Sequence, residues 1–339
     1  NGTSVRAWNL VAANEKLVLL GHTGGVPCVA FRGDGEILAT GSKDGQVRLW
    51  EARSGKLAAG IPTRGAVQTV CFSPDRRLLA VGYWDDDDKN HGIEIFDAAT
   101  RRSLVATRHD LGEVDSLALF DRGGRHYLAA CGSSGFKVWP VTDDVAGGGS
   151  LRLEPPANQV GNRCLNLAVS RDSRLIAWVD NDRTVRLWDI AQAKPLDLKA
   201  PQMKQGWHGL AFDPAGRLIF ITEQGTAEAW DVAADKSAFR LGETGHFKAP
   251  HIALSPDGRW LAALAQPGAV EIWSTAERKL AYAFRPERSA SIWSLAWSPD
   301  NERLAVGFSD GGLAIWSLTT IREELQQMGL AETAVDSAK

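Results

Sequence analysis

Tryptophan recurs along this chain at an almost fixed interval. Trp8, Trp50, Trp139, Trp188, Trp230, Trp273 and Trp316 each close a short segment of alternating character, and Phe96 fills the one gap in the series. Successive members are 42 to 49 residues apart. A fixed period of this length points to one repeated supersecondary unit, which cannot bury its apolar face alone and so stacks on its neighbours. The period overrides the division into two domains that 339 residues would otherwise suggest.

Every period has the same internal order. A first strand runs into a tight turn, as in VCFSPD (70–75), LAVSRD (167–172), IALSPDG (252–258) and LAWSPDN (295–301). Pro presets φ in such a turn, and Asp and Gly close it. LALFDRGG (117–124) keeps only a loose version. A second strand follows, for example ILATGS (37–42) or RLAVGF (303–308), and then a third that ends at the periodic aromatic. A weaker fourth strand, such as KLAAGI (56–61) or KLAYAF (279–284), leads to the next period. Four short antiparallel strands with polar turns make one blade of a β-propeller.

The stretch GHTGGVPCVAFRGDGEILATGSKDGQVRLW (21–50) resembles the repeat of the WD40 family, from its Gly-His pair to its closing Trp. The resemblance covers about residues 3–318, and it specifies fold far more than function. Only Trp188-Asp189 and Trp230-Asp231 are literal Trp-Asp pairs at the right place, because Trp84-Asp85 ends a second strand.

Counting strands gives the architecture. The last repeat (292–318) supplies three strands, whereas KLVLL (16–20) is a strand with no blade upstream. The reading is therefore all-β: a seven-bladed propeller of four-stranded antiparallel blades, closed by an N-terminal outer strand, as the resemblance also implies. Residues 1–10 read as the leftover strand of a preceding repeat, 11–318 as the propeller and 319–339 as a helix and tail. In that last segment Ile321, Leu325 and Met328 share a face and Gly329 is placed to cap the helix. Such a helix either packs on the propeller or docks a partner.

Composition narrows the classes of function. With 38 basic against 41 acidic residues there is no electrostatic surplus to drive nucleic-acid binding. No apolar run is long enough to span a membrane, and no secretory pattern opens the chain. The four cysteines lack a CxxC spacing and lie in apolar runs, as buried thiols do in a reducing, cytoplasmic setting. No cofactor is implied, and the oligomeric state is left open.

Several motifs match chemistry on paper. GFSDG (307–311) fits a nucleophile elbow, but it falls between two strands and no His follows Ser309. SGFK (134–137) fits S-x-x-K without opening a helix. Asp86, Asp88, Asn90, Glu94 and Asp97 follow the spacing of a calcium loop, yet His91 stands where that loop needs Gly and 92–97 should be strand. A solvated acidic loop is the plainer reading, with no metal. His22, Ser42, Asp44 and Trp50 stand at the positions of the family's buried hydrogen-bond relay, which the resemblance implies is structural rather than catalytic.

The resemblance also implies a peptide-binding face, formed by loops before first strands and between second and third strands. Aligned on the turns, the residues ringing the channel there are Pro27, Gln68, Asp115, Leu165, His208, Pro250 and Trp293. Trp207 adjoins His208, and Trp84 with Asp85, Asp86, Asp87 and Asp88 comes from an inter-strand loop on the same face. Indoles beside carboxylates suit a basic side chain of a protein or peptide partner. The other reading is that Trp207 and Trp293 pack beneath their loops. Function is thus expected to be a non-catalytic protein-interaction scaffold. The alternatives are a regulatory or sensor module of a larger signalling protein, such as a bacterial Ser/Thr kinase, and a propeller enzyme. Asn1, in place of Met, and the orphan strand suggest a piece of something longer.

Overall fold

A computed structural model describes residues 17–327, apart from 85–90, 109–110, 145–149, 154–157, 161–162, 201, 204–208, 244, 248–250, 267–268, 285 and 287–288. Residues 1–10, read as a leftover strand, and Met328 and Gly329 lie outside the described residues. Among them the strands form seven antiparallel sheets arranged as the blades of a propeller. In blade one the order from channel to rim is Cys28–Phe31, Ile37–Gly41, Gln46–Glu51 and Leu57–Pro62. Blades two to six repeat this order. Blade seven takes Ile292–Trp297, Arg303–Phe308 and Leu313–Ser317 from the end of the chain and its rim strand, Leu17–Leu19, from the start. Leu17, Val18 and Leu19 lie opposite Ile315, Ala314 and Leu313, so the ring closes on three residue pairs.

The core is divided into wedges. Each of seven apolar clusters among the described residues draws on two adjacent blades. Period-2 alternation produces this, because one face of a blade meets the blade before it and the other face the blade after. Second strands face apolar surface on both sides and are buried almost end to end, as in Leu78–Tyr83. Leu19 seals the wedge between blades seven and one at 2% exposure, beside Leu38, Trp50 and Ile315. Trp178 and Trp297 are core residues, while Trp260 is half-buried under the Arg322 guanidinium.

Four blades share one turn between first and second strands. The hydroxyls of Ser73, Ser170, Ser255 and Ser298 bond the carboxylates of Asp75, Asp172, Asp257 and Asp300. Each hydroxyl also accepts the N–H that opens the second strand, at 2.9 Å from Leu78, Leu175, Trp260 and Arg303. Blade three departs from this. Arg122 lies directly opposite Arg125, and Gly123 and Gly124 have φ of 57° and 76°. Positive φ at both central residues makes a two-residue primed hairpin, so here Gly-Gly replaces the side-chain clasp. Blade three also gains a fifth strand, Asn158–Val160, against Phe136–Val138. The helix spans Leu318–Gln327, running straight on from Leu313–Ser317, with Leu318 and Ile321 buried in the six–seven wedge.

Candidate functional site: the channel mouth

The hydrogen-bond chain in blade one corrects one assignment. Trp50 Nε1 donates to Thr40 Oγ1 at 2.9 Å, and Thr40 Oγ1 lies 2.8 Å from His22 Nε2. His22 Nδ1 lies 3.0 Å from Asp44 Oδ2. The linking hydroxyl therefore belongs to Thr40, not to Ser42. Trp50 sits opposite Leu38, which puts Thr40 on the near diagonal and Ser42 about 7 Å further along the strand. Ser42 instead donates to the Gly24 carbonyl at 2.8 Å and accepts the Asp44 N–H at 3.1 Å. Burial lowers the His22 pKa, with the Asp44 hydrogen bond pulling the other way, so the ring is neutral near pH 7. Burial also works to raise the Asp44 pKa, but bonds from Thr23 N–H and His22 outweigh it and hold the carboxyl below its usual range.

A second chain escaped the sequence reading. In blade six His246 Nε2 meets Glu271 Oε2 at 2.7 Å, and Trp273 Nε1 donates to the same oxygen at 2.9 Å. Glu271 precedes Trp273 by two residues on one face of its strand, so a carboxylate does what Thr40 does in blade one. The readable signal was the Gly245-His246 pair, placed as Gly21-His22 is.

Around the channel, four residues of the aligned ring share a backbone feature. Gln68, Asp115, Leu165 and Trp293 each sit at a register shift in the first strand: Val67/Thr69, Val114/Ser116, Cys164/Asn166 and Ile292/Ser294. A β-bulge leaves one residue unpaired and re-aims its side chain. Pro27, Gln68 and Asp115 line a channel cavity of about 210 Å³, with Thr69, Ser116, Asn166, His251 and Ser294 adding further polar groups. Asp115 is 7% exposed. Among the described residues its Oδ2 receives no hydrogen bond, and the Arg163 guanidinium is 3.9 Å away. Burial pushes the Asp115 carboxyl up to about 7, opposed by Arg163 and assisted by Glu113. His251 is held below its usual pKa by burial.

Trp293 does not line that cavity. It leans on Gly25, where a Cβ would come within 2.2 Å of the indole, so only glycine fits. Lys43 Nζ lies 5.0 Å from the Trp293 ring centre and 6.0 Å from that of Trp84. Trp207, His208, Pro250 and Asp85 to Asp88 lie outside the described residues. Of the calcium-loop pattern, Glu94 lies within a strand, where it accepts from Ser103, and Asp97 accepts from Thr100 N–H at 2.7 Å. Among the described residues no three or more His, Cys, Asp or Glu side chains are placed to hold a metal ion. Ser309 Oγ accepts the Ser291 N–H at 3.1 Å and ties two loops, with strands on both sides rather than a helix.

Blade count, sheet order and ring closure define a repeat propeller, and residues 14–51, 59–89 and 279–317 match the WD domain, G-beta repeat family. The fold is that of a WD40-type, seven-bladed β-propeller. It is 37% identical over 93 residues to small ribosomal subunit protein RACK1z of Arabidopsis thaliana, a stretch covering 27% of each chain. Over 145 residues, 41% of each chain, it is 27% identical to RACK1y of Oryza sativa. It is 40% identical over 97 residues to RACK1 of Caenorhabditis elegans, covering 27% of this chain and 30% of that one. The chain thus matches well under half the length of these relatives. No helix among the described residues is long and apolar enough to cross a membrane.

Proposed function

We propose that this propeller is a non-catalytic interaction platform whose partner, a protein or peptide, engages the channel mouth with a basic side chain. The observation that carries this reading is the Asp115 carboxylate. It is buried, receives no hydrogen bond at Oδ2 from the described residues and opens on a polar cavity. A buried acceptor left unmet is costly, and a donor from a partner offsets that cost. The bulges support the same reading, since they turn ring residues out of the blade ladder toward the mouth. The similar plant and nematode proteins are named as small ribosomal subunit proteins, and so as parts of a larger assembly.

The test is partner capture by wild type and by Asp115→Asn, which keeps the shape and removes the charge. Loss of the captured protein, with the melting temperature unchanged or raised, is the expected outcome. Equal capture by both would remove the channel mouth from the binding surface.

A further inference from the structure

The aromatic part of this face already holds a cation, and the cation is the protein's own. Lys43 lies in the turn between the second and third strands of blade one. Its ammonium is shared between Trp293 of blade seven and Trp84 of blade two, at 5.0 and 6.0 Å from the ring centres. Three successive blades therefore meet at one ammonium group. Both distances lie within the reach of an indole quadrupole.

The arrangement is built by backbone as well as by the lysine side chain. The Lys43 N–H donates to the Gly25 carbonyl at 2.9 Å, and Trp293 packs on the same glycine. Ser42 holds the preceding Gly24 carbonyl, and Asp44 binds Thr23 N–H and His22. The relay of blade one thus pins the loop that seats the indole to the turn that carries the lysine. Lys43 is an exposed residue. Its hold on the rings is a tethered, weak contact that an incoming cation can displace.

We propose that Trp84 and Trp293 form an ammonium-binding site, and that Lys43 is its internal occupant in the free protein. The inference rests on the reading of this face as the docking surface, and it names how that surface is regulated. A tethered group competes as though present at about millimolar concentration. Dilute single cations are therefore refused, whereas a partner anchored elsewhere on the face, at Asp115, brings its own cation at comparable effective concentration and replaces Lys43.

Tetramethylammonium chloride is the probe, titrated against sodium chloride at matched ionic strength. Indole N–H resonances are followed by ¹H–¹⁵N correlation and assigned with Trp84→Phe and Trp293→Phe. Lys43→Met keeps the aliphatic stem and removes the charge. It is expected to show saturable shifts of both resonances, with a Kd about tenfold or more below that of wild type. Lys43→Arg retains a cation and should behave as wild type. Equal affinity in wild type and Lys43→Met, or no saturable shift in Lys43→Met, overturns the proposal. No partner is needed, so this result is independent of the Asp115→Asn capture experiment.

Discussion

In the buried chain of Trp50, Thr40, His22 and Asp44, the carboxylate at one end sets the direction of the protons. The indole N–H donates to Thr40, the Thr40 hydroxyl to His22 Nε2, and His22 Nδ1–H to Asp44. Thr40→Val keeps the shape of the side chain and strands both the indole donor and the imidazole acceptor. It is expected to cost about 2–4 kcal/mol in urea unfolding, whereas Ser42→Ala, which loses the Gly24 carbonyl tie and the acceptor for the Asp44 N–H, should cost about 1 kcal/mol. Equal losses would mean that Thr40 does not link the chain. Asp115 makes a second prediction at this scale. Its folded carboxyl titrates at about 7, above the 3.8 of an unperturbed group, so between these values the native state holds a proton the unfolded chain has released. The contribution of Asp115 to stability therefore falls as pH rises from about 4 to 7 and levels off above, by on the order of 1 kcal/mol per pH unit. Asp115→Asn should flatten that fall when melting temperature is followed from pH 4.5 to 8, and parallel curves would contradict the assignment.

At the scale of the element, strands and turns were legible wherever local chemistry repeats. Ser-x-Asp after a first strand is a self-contained clasp, and all four instances close alike. Blade three was legible only in part, because LALFDRGG contains two glycines and the chain alone does not say which geometry they take. A two-residue loop whose strands meet at Arg122 and Arg125 decides it. The bulges at Gln68, Asp115, Leu165 and Trp293 left no mark of their own. A bulge depends on the register of the partner strand, and register is a relation between segments rather than a property of either. The ring could be aligned by counting from the turns, but the reason its side chains leave the ladder could not be read.

Seven wedges and one seam describe the whole molecule. Each wedge joins neighbours along the chain except the one between blades seven and one, and blade seven itself is completed by only three residue pairs to Leu17–Leu19. Leu19→Ala should destabilise the protein by about 2–5 kcal/mol, the range for a buried leucine with a cavity left behind. Because the seam links the two ends of the chain, its contacts have the greatest sequence separation and should form late. The variant is thus expected to unfold faster with little change in refolding rate. Stopped-flow chevrons would measure this, and a slowed refolding arm would place the seam in the folding nucleus instead.

The sequence by itself determined the repeat, the blade count and the closing strand, because these rest on spacing along one chain and on side-chain alternation, and its resemblance to the WD40 repeat named three of the four relay members. Tertiary structure alone decided that Thr40 rather than Ser42 links the relay, that Glu271 serves a second one, and that Lys43 sits on Trp84 and Trp293. Each of these is a distance between side chains of different strands or blades, set by how the ring closes and not by any interval in the sequence.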